Sequence, residues 1–321
     1  MSEADWWHPV ADVAALDAAP FAVTLLGEDI VVWRDGTGTV RAFANRCPHR
    51  GTRLSLGKVC AGRLECAYHG WQFSGAGDCE RIPALPHFTP PPSHRATGHA
   101  ATLAYGLVWV RLGAAGTGAP PPFEAEADNR LRKVLVGPYD VATSAPRIVE
   151  NFLDLAHFGF VHEGGLGDRE HTELPDYDVK VSAEGLLATG CMAWQPQSNR
   201  LSTGGSWVAY EYEVRSPFTS VLSKAPEQQG GFRESIALFV CPAEPERSRV
   251  WFRMAGPDFE STDAELRTFQ HRIFMQDQPV LESQRPKRLP LSGREVHSAA
   301  DRSSTAYRRW LRELKIGFGV E

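Results

Sequence analysis

Two short stretches in the first quarter of the chain each offer a thiol and an imidazole. The first is Cys47-Pro48-His49; sixteen residues further on comes Cys66-Ala67-Tyr68-His69. Two thiolates and two imidazoles suit either one zinc ion or a two-iron cluster. Zinc fingers usually pair Cys with Cys and His with His. Here each stretch supplies one of each, as required when the thiolates hold one iron of a [2Fe–2S] cluster and the imidazoles hold the other. Pro48 stiffens the first loop, and Gly51 and Gly70 let backbone amides approach the cluster sulfurs, which tunes the potential. Cys60 and Cys79 fall outside the pattern and read as free thiols.

A second constellation lies at residues 150–162, where Asp154, His157 and His162 are spaced three and five apart. Five residues rotate a helical side chain by about 140°, so both imidazoles can reach one ion only if the helix ends or bulges between them. Gly159 is the expected site of that break. Asp154 shares a face with His157 and can orient its other ring nitrogen. Two His and one carboxylate make the facial triad that binds non-haem Fe(II) with positions left open. Asp277 is the chosen carboxylate, because it sits late on an apolar helix where an unpaired charge is costly; Asp258, Asp263 and Glu282 are alternatives. His171 and His271 have no partner at ligand spacing.

The elements that must hold these residues follow from patterning. Residues 21–26, 30–34, 39–45, 63–66, 71–73 and 103–112 read as strands separated by glycine-rich turns, a small all-β unit. The stretch 113–122, GAAGTGAPPP, reads as a linker or crossing segment. Beyond it, residues 148–162, 263–281 and 301–314 read as helices, the second N-capped by Ser261 or Thr262 with Glu265 placed for a capping box. Residues 177–181, 186–191, 207–214, 235–241 and 250–255 read as strands. The expected organisation is therefore an all-β domain at 1–113, a linker at 114–122 and an α+β domain of antiparallel sheet and helices at 123–321.

Composition removes other classes. In 321 residues, 42% hydrophobic content excludes a disordered chain, and a net charge of -5 argues against a nucleic-acid partner. No apolar run approaches the length of a membrane span, and the N-terminal MSEADWWHPV lacks the pattern of a secretory signal, so a cytoplasmic protein is expected. Six cysteines are too few for a disulfide scaffold. Arg308-Arg309 reads as a solvated helix face. The basic residues Arg46, Arg50, Arg53 and Lys58, near the first constellation, are candidates to meet an acidic ferredoxin.

The strings CPHRGTRLSLG (47–57) and CAYHGWQF (66–73) resemble the Rieske domain of aromatic-ring-hydroxylating oxygenases. NFLDLAHFGFVHEGGLG (151–167) resembles the mononuclear-iron motif of Rieske non-haem iron oxygenase α subunits. The respiratory branch of Rieske proteins adds a disulfide, but Thr52 and Tyr68 stand in its places here. The resemblance implies a Rieske [2Fe–2S] domain held by Cys47, His49, Cys66 and His69, and a helix-grip (START-like) catalytic domain with Fe(II) on His157, His162 and Asp277. It also implies a head-to-tail homotrimer, in which Asp154 links His69 of the partner subunit to His157 for electron transfer and is not itself a ligand.

Dioxygen is then the co-substrate. The chain has neither a Gly-rich dinucleotide fingerprint nor four-Cys ferredoxin spacing. NAD(P)H electrons must therefore come through a separate reductase, with or without a ferredoxin. The short chain looks like the α3-type monooxygenase and demethylase branch, which favours hydroxylation or oxidative O- or N-demethylation of a small, partly apolar ring compound over cis-dihydroxylation. Aromatic residues at 152, 158, 160, 207, 210 and 212 are candidates for its pocket. The alternatives are an electron-transfer protein with a partner-binding C-terminal domain and no mononuclear iron, and, last, a zinc-stabilised binding module.

Overall fold

The computed structural model describes residues 2–17 and 19–321, Asp17 through its backbone alone. The chain divides into two compact units, 3–120 and 121–321. Residue 1, the expected start of the first domain, lies outside the described residues.

The strands of the first unit are β1 (His8–Asp12), β2 (Phe21–Leu25), β3 (Glu28–Arg34), β4 (Val40–Ala44), β5 (Lys58–Cys60), β6 (Arg63–Glu65), β7 (Gln72–Phe73), β8 (Cys79–Arg81), β9 (Gly98–Ala104) and β10 (Leu107–Arg111). They form a six-stranded sheet ordered β1-β10-β9-β4-β3-β2 and a four-stranded sheet ordered β5-β6-β7-β8. The run Ile30 to Trp33 is continuously apolar because all four side chains are buried. Residues 103–112 are not one strand: Tyr105 and Gly106, with φ of 58° and 81°, make a two-residue turn that folds them into the β9–β10 hairpin. The stretch after β10 is tied to the first unit, with the Gly113 amide donating to the Ala4 carbonyl and Trp7 Nε1 donating to that of Gly118.

The second unit contains β11 (Arg132–Val141), α1 (Ala145–Leu153), α2 (Phe158–Val161), β12 (Asp178–Ser182), β13 (Gly185–Gln195), β14 (Ser206–Ser216), β15 (Thr219–Pro226), β16 (Glu234–Glu244), β17 (Arg247–Gly256), α3 (Asp263–Ser283) and α4 (Arg302–Glu313). Its seven-stranded antiparallel sheet is ordered β11-β17-β16-β15-β14-β13-β12. α1 packs on β15 and β16, α3 on β11, and α4 on β12 and β13. The alternation of β14 turns Val208, Tyr210, Tyr212 and Val214 to the buried face. Two of these strands escape a pattern search. β11 carries Gly137-Pro138 and a register shift beside it. β15 reads TSVLSKAP, with Lys224 on its buried face where an apolar residue is expected.

α3 starts with the expected capping box, the Glu265 amide donating to Thr262 Oγ1 and the Thr262 amide to Glu265 Oε2. Pro279 removes one rung of its hydrogen-bond ladder, yet the helix continues to Ser283. Gln270, Ile273, Phe274, Asp277 and Leu281 form its buried stripe. No helix among the described residues is long and apolar enough to cross a membrane.

Arg308 is not a solvated residue. It is buried, and its guanidinium donates to both Glu150 oxygens at 2.5 and 2.9 Å and to Glu295 at 2.6 Å. Arg147, also buried, grips Glu295 at 2.7 and 3.1 Å. The network fastens α1 and α4 to the segment after α3, so it braces α1, whose Ile148, Asn151 and Phe152 border an internal chamber. Burial pushes the Glu295 carboxyl up, but the two guanidinium groups overcome this and hold it down to about 2 against an ordinary 4.5. A depressed folded value stabilises above the unfolded one, so this contribution is complete above about pH 4.5 and is lost as pH falls toward 2. Glu295→Gln is therefore expected to cost about 2 kcal/mol at neutral pH, or about 4–8 °C in Tm. Thermal melts of both proteins should converge as pH falls from 4.5; a constant gap would contradict the electrostatic account.

Candidate metal centres and substrate chamber

The first constellation sits on two matching loops. One follows β4, and there the Cys47 amide donates to the Thr52 carbonyl and the Gly51 amide donates back to the Cys47 carbonyl, at 2.8 and 2.9 Å. The other joins β6 to β7 with the same pattern, Cys66 to Trp71 at 2.9 Å and Gly70 to Cys66 at 3.0 Å. Closing each loop needs a left-handed residue, supplied by Gly51 and Gly70 with φ of 75° and 69°. Cys47 and Cys66 are buried among Trp33, Leu54, Leu64 and Phe73, whereas His49 and His69 are exposed with ring centroids 4.6 Å apart. Trp71 stacks flat against both His49 and His94, with centroids 4.5 and 5.1 Å away, a support that ligand spacing alone does not reveal.

The donor set fits a cationic cluster. Burial, reinforced by the neighbouring Cys66 thiol and only partly offset by the amides of His49 and Arg50, pushes the Cys47 thiol up to about 11. Paired thiolates in this setting need a positive partner, which iron supplies. All six cysteines are free, including half-buried Cys60 and buried Cys79. Of the four basic residues nearby, Arg53 pairs with Asp29 and Lys58 with Glu65.

In the second unit α1 stops at Leu153, and the chain turns through residues 154–157 before α2. The break therefore precedes His157 and is not at Gly159, which lies inside α2. A Cβ there would come within 2.9 Å of the Asp168 carbonyl, so this glycine serves a close approach of chain segments. The turn brings His157 Nε2 and His162 Nε2 to 3.2 Å, and each lies 3.4 or 3.3 Å from Oδ1 of Asp277 on α3. Ligands about 2.1–2.2 Å from one ion at roughly 90–100° are about 3.0–3.4 Å apart, so this triangle has the dimensions of a facial triad.

The surroundings also suit a divalent cation. Burial pushes His157 down, but Asp154 and Asp277 override it and raise the imidazole to about 9. Burial pushes Asp277 up, and His157 and His162 bring it to about 2. The negative potential that would hold a proton between these groups also favours a metal ion. Gln276 Oε1 accepts from His162 Nδ1 at 2.9 Å, which leaves Nε2 free as a ligand. Asp154 Oδ2 is 3.5 Å from His157 Nδ1, while its Oδ1 accepts from the Ala156 amide at 2.7 Å.

The other carboxylates are occupied elsewhere. Asp258 accepts from Ser261, Asp263 pairs with Arg132, and Glu282 accepts from the Ala142 amide. His171 stacks on Trp194, and His271 meets the Tyr139 hydroxyl.

His157, His162 and Asp277 all border one chamber with a mainly apolar, aromatic lining. Phe152, Phe158, Tyr210 and Tyr212 line it, as expected. Phe160 instead lies exposed under the Arg169 guanidinium, and Trp207 packs against Trp194. Sequence patterning misses Phe252 on β17, and Phe269, Gln270 and Phe274 on α3. Helical spacing could have flagged the α3 residues, since they share a stripe with Asp277.

A cluster-type Cys₂His₂ domain and a His₂-carboxylate triangle bordering an aromatic chamber define a two-centre iron oxidoreductase. Residues 6–93 match the Rieske [2Fe–2S] domain and residues 141–315 the vanillate O-demethylase oxygenase C-terminal domain, and the chain belongs to this family of Rieske oxygenases. Methylxanthine N1-demethylase NdmA of Pseudomonas putida is 33% identical over 318 residues, covering 97% of this chain and 88% of that protein. Methylxanthine N3-demethylase NdmB of the same organism is 32% identical, covering 97% and 89%. The structure of Pseudomonas putida CBB5 NdmA with caffeine superimposes with a TM-score of 0.86 at 32% identity, over 97% of this chain and 91% of that one. The protein is thus a monooxygenase-type Rieske enzyme that uses a [2Fe–2S] cluster, non-haem iron and dioxygen to oxidise a small ring compound.

Proposed function

We propose that the enzyme removes a methyl group from a ring nitrogen of an N-methylated heterocycle of the methylxanthine type. In this reading Cys47, His49, Cys66 and His69 hold the cluster, and His157, His162 and Asp277 hold the iron. The observation that carries it is Gln270. The residue is 8% exposed and borders the chamber, and its side chain makes no hydrogen bond among the described residues. A carboxamide that both donates and accepts matches the N–C=O edge of such a ring, and this one has its hydrogen-bonding capacity unused. The resemblance to two N-demethylases over nearly the whole chain supports the same reading.

The chain's own residues bind, orient and shield. Phe152 meets Tyr212 edge-on at 6.1 Å and Phe252 meets Phe274 at 5.2 Å, giving aromatic walls that exclude water. Asn151 Nδ2 donates to Asp277 Oδ1 at 3.4 Å, steadying the carboxylate. The iron, when bound, supplies dioxygen activation with electrons relayed through the cluster. Overall, one oxygen atom enters the methyl C–H bond, and the resulting N–CH2–OH breaks into formaldehyde and a ring N–H. The other oxygen leaves as water, with two electrons and two protons drawn from NAD(P)H and solvent through a separate reductase.

The same reading places the chain in a head-to-tail homotrimer in the cytoplasm. Asp154 there lies between His157 and His69 of the partner subunit, and a reductase, with or without a ferredoxin, delivers electrons. The exposure of His49 and His69 at one end of the cluster loops supports an external electron donor or acceptor there.

The test is reconstitution with a reductase, NAD(P)H and N-methylxanthines, measuring formaldehyde. One formaldehyde per NAD(P)H is expected, and Gln270→Leu should raise KM about tenfold or more. Turnover of O-methyl or unmethylated rings without formaldehyde from any N-methyl heterocycle would overturn the reading.

A further inference from the structure

Adjoining the ring chamber is a small second recess, which shares Lys224, Ile236, Phe269 and Gln270 with it. Lys224 stands at the junction and is 5% exposed. Its Nζ lies 3.2 Å from Oε2 of Glu234, itself 9% exposed, and donates to the Ser198 carbonyl at 2.6 Å. The recess also borders Arg132 and Arg200. Arg132 pairs with Asp263, and Arg200 pairs with Glu265 at 2.7 Å. Among the described residues, every Lys or Arg that borders the two spaces is therefore already matched by a carboxylate.

This arrangement discriminates by charge. An aromatic carboxylate entering the chamber must shed its hydration shell, and out of reach of the iron this is tolerable only where an uncompensated side-chain cation waits for it. Lys224 is a cation in the right place, but Glu234 occupies it and would lie close to the incoming anion. A ring of the same shape bearing a carboxamide or lactam gives up much less hydration and can use Gln270. We infer that the Lys224–Glu234 pair acts as a charge filter, making the chamber select neutral rings over their carboxylate counterparts. The inference rests on the chamber being the substrate site. It concerns selection by charge and does not depend on which methyl group is removed.

Matched ligands test this directly. Binding of 3-chlorobenzamide and 3-chlorobenzoate to the iron-loaded holoenzyme is measured by calorimetry without oxygen, a readout independent of turnover. The wild type should favour the amide by at least tenfold. Glu234→Gln, which keeps the shape and frees the ammonium, should move the ratio at least tenfold toward the acid. The double variant Lys224→Gln/Glu234→Gln, with neither charge, should return to amide preference, which separates electrostatics from structural damage. Equal binding of the two ligands by the wild type would overturn the filter, as would an unchanged ratio in Glu234→Gln. Failure of both ligands to bind any form would overturn it too, by removing the chamber as a ring site. Failure of the demethylation reading is seen separately, as missing formaldehyde with the charge ratio intact.

Discussion

An Asp154→Asn enzyme should keep both metal centres and lose about 10–100-fold in turnover. The carboxamide has the shape of the carboxylate and can still accept the Ala156 amide through Oδ1, now held at 2.7 Å. What it lacks is the charged acceptor facing His157 Nδ1 at 3.5 Å, one of the groups that raise this imidazole to about 9. Asp154 touches no other member of the triangle and lies just beyond the end of α1, partly exposed. It is thus placed to couple His157 to whatever approaches from outside, as the proposed inter-subunit role requires. Iron and sulfide content and the reduced-cluster EPR spectrum should match the wild type, while cluster re-oxidation in a single turnover slows. A normally active variant would remove Asp154 from the electron path.

Asp277→Ala should have the larger effect on iron. The carboxylate is buried and meets both imidazoles at 3.3 and 3.4 Å, and no other carboxylate among the described residues reaches both. Without it, two imidazoles remain and most of the negative charge that attracts a divalent cation is gone. Iron should fall from about three to about two per chain with acid-labile sulfide unchanged, because Cys47, His49, Cys66 and His69, the proposed cluster ligands, lie in the other unit. Turnover should drop by more than about 100-fold. Retention of the third iron with full activity would move the ligand role to another residue.

The two constellations differ in how far sequence alone could carry them. Each cluster loop is a local object, a Cys, a His two or three residues later and a Gly that closes the turn. Chain connectivity sets these distances, so spacing suffices to propose the chemistry. The His157–His162 pair is local as well, but its geometry hinges on where the helix breaks. Spacing shows that a break is needed, and glycine content points to the wrong residue, because Gly159 answers to the close approach of the Asp168 carbonyl.

The third member of the triangle is 115 residues beyond His162. Asp277 can be preferred in sequence over Asp258, Asp263 and Glu282 only by its place on an apolar stripe. What separates them in the fold is that each of the others already has a partner.

Charged residues in the core show the limit most sharply. Arg308 in an RR pair reads as solvated, and Lys224 in a serine-rich segment gives no sign of a strand at all. Both are buried because distant carboxylates meet them, Glu150 and Glu295 for one, Glu234 for the other. The amino-acid sequence by itself determined the two-domain order, the cluster chemistry and the imidazole pair, since these depend on residues a few positions apart. The tertiary structure decided which carboxylate meets the two imidazoles, which faces of β14, β17 and α3 wall the chamber, and which charges are neutralised inside it. Those features depend on pairing across the sheet and on which distant charges meet, interactions between residues far apart in the chain that periodicity along it does not specify.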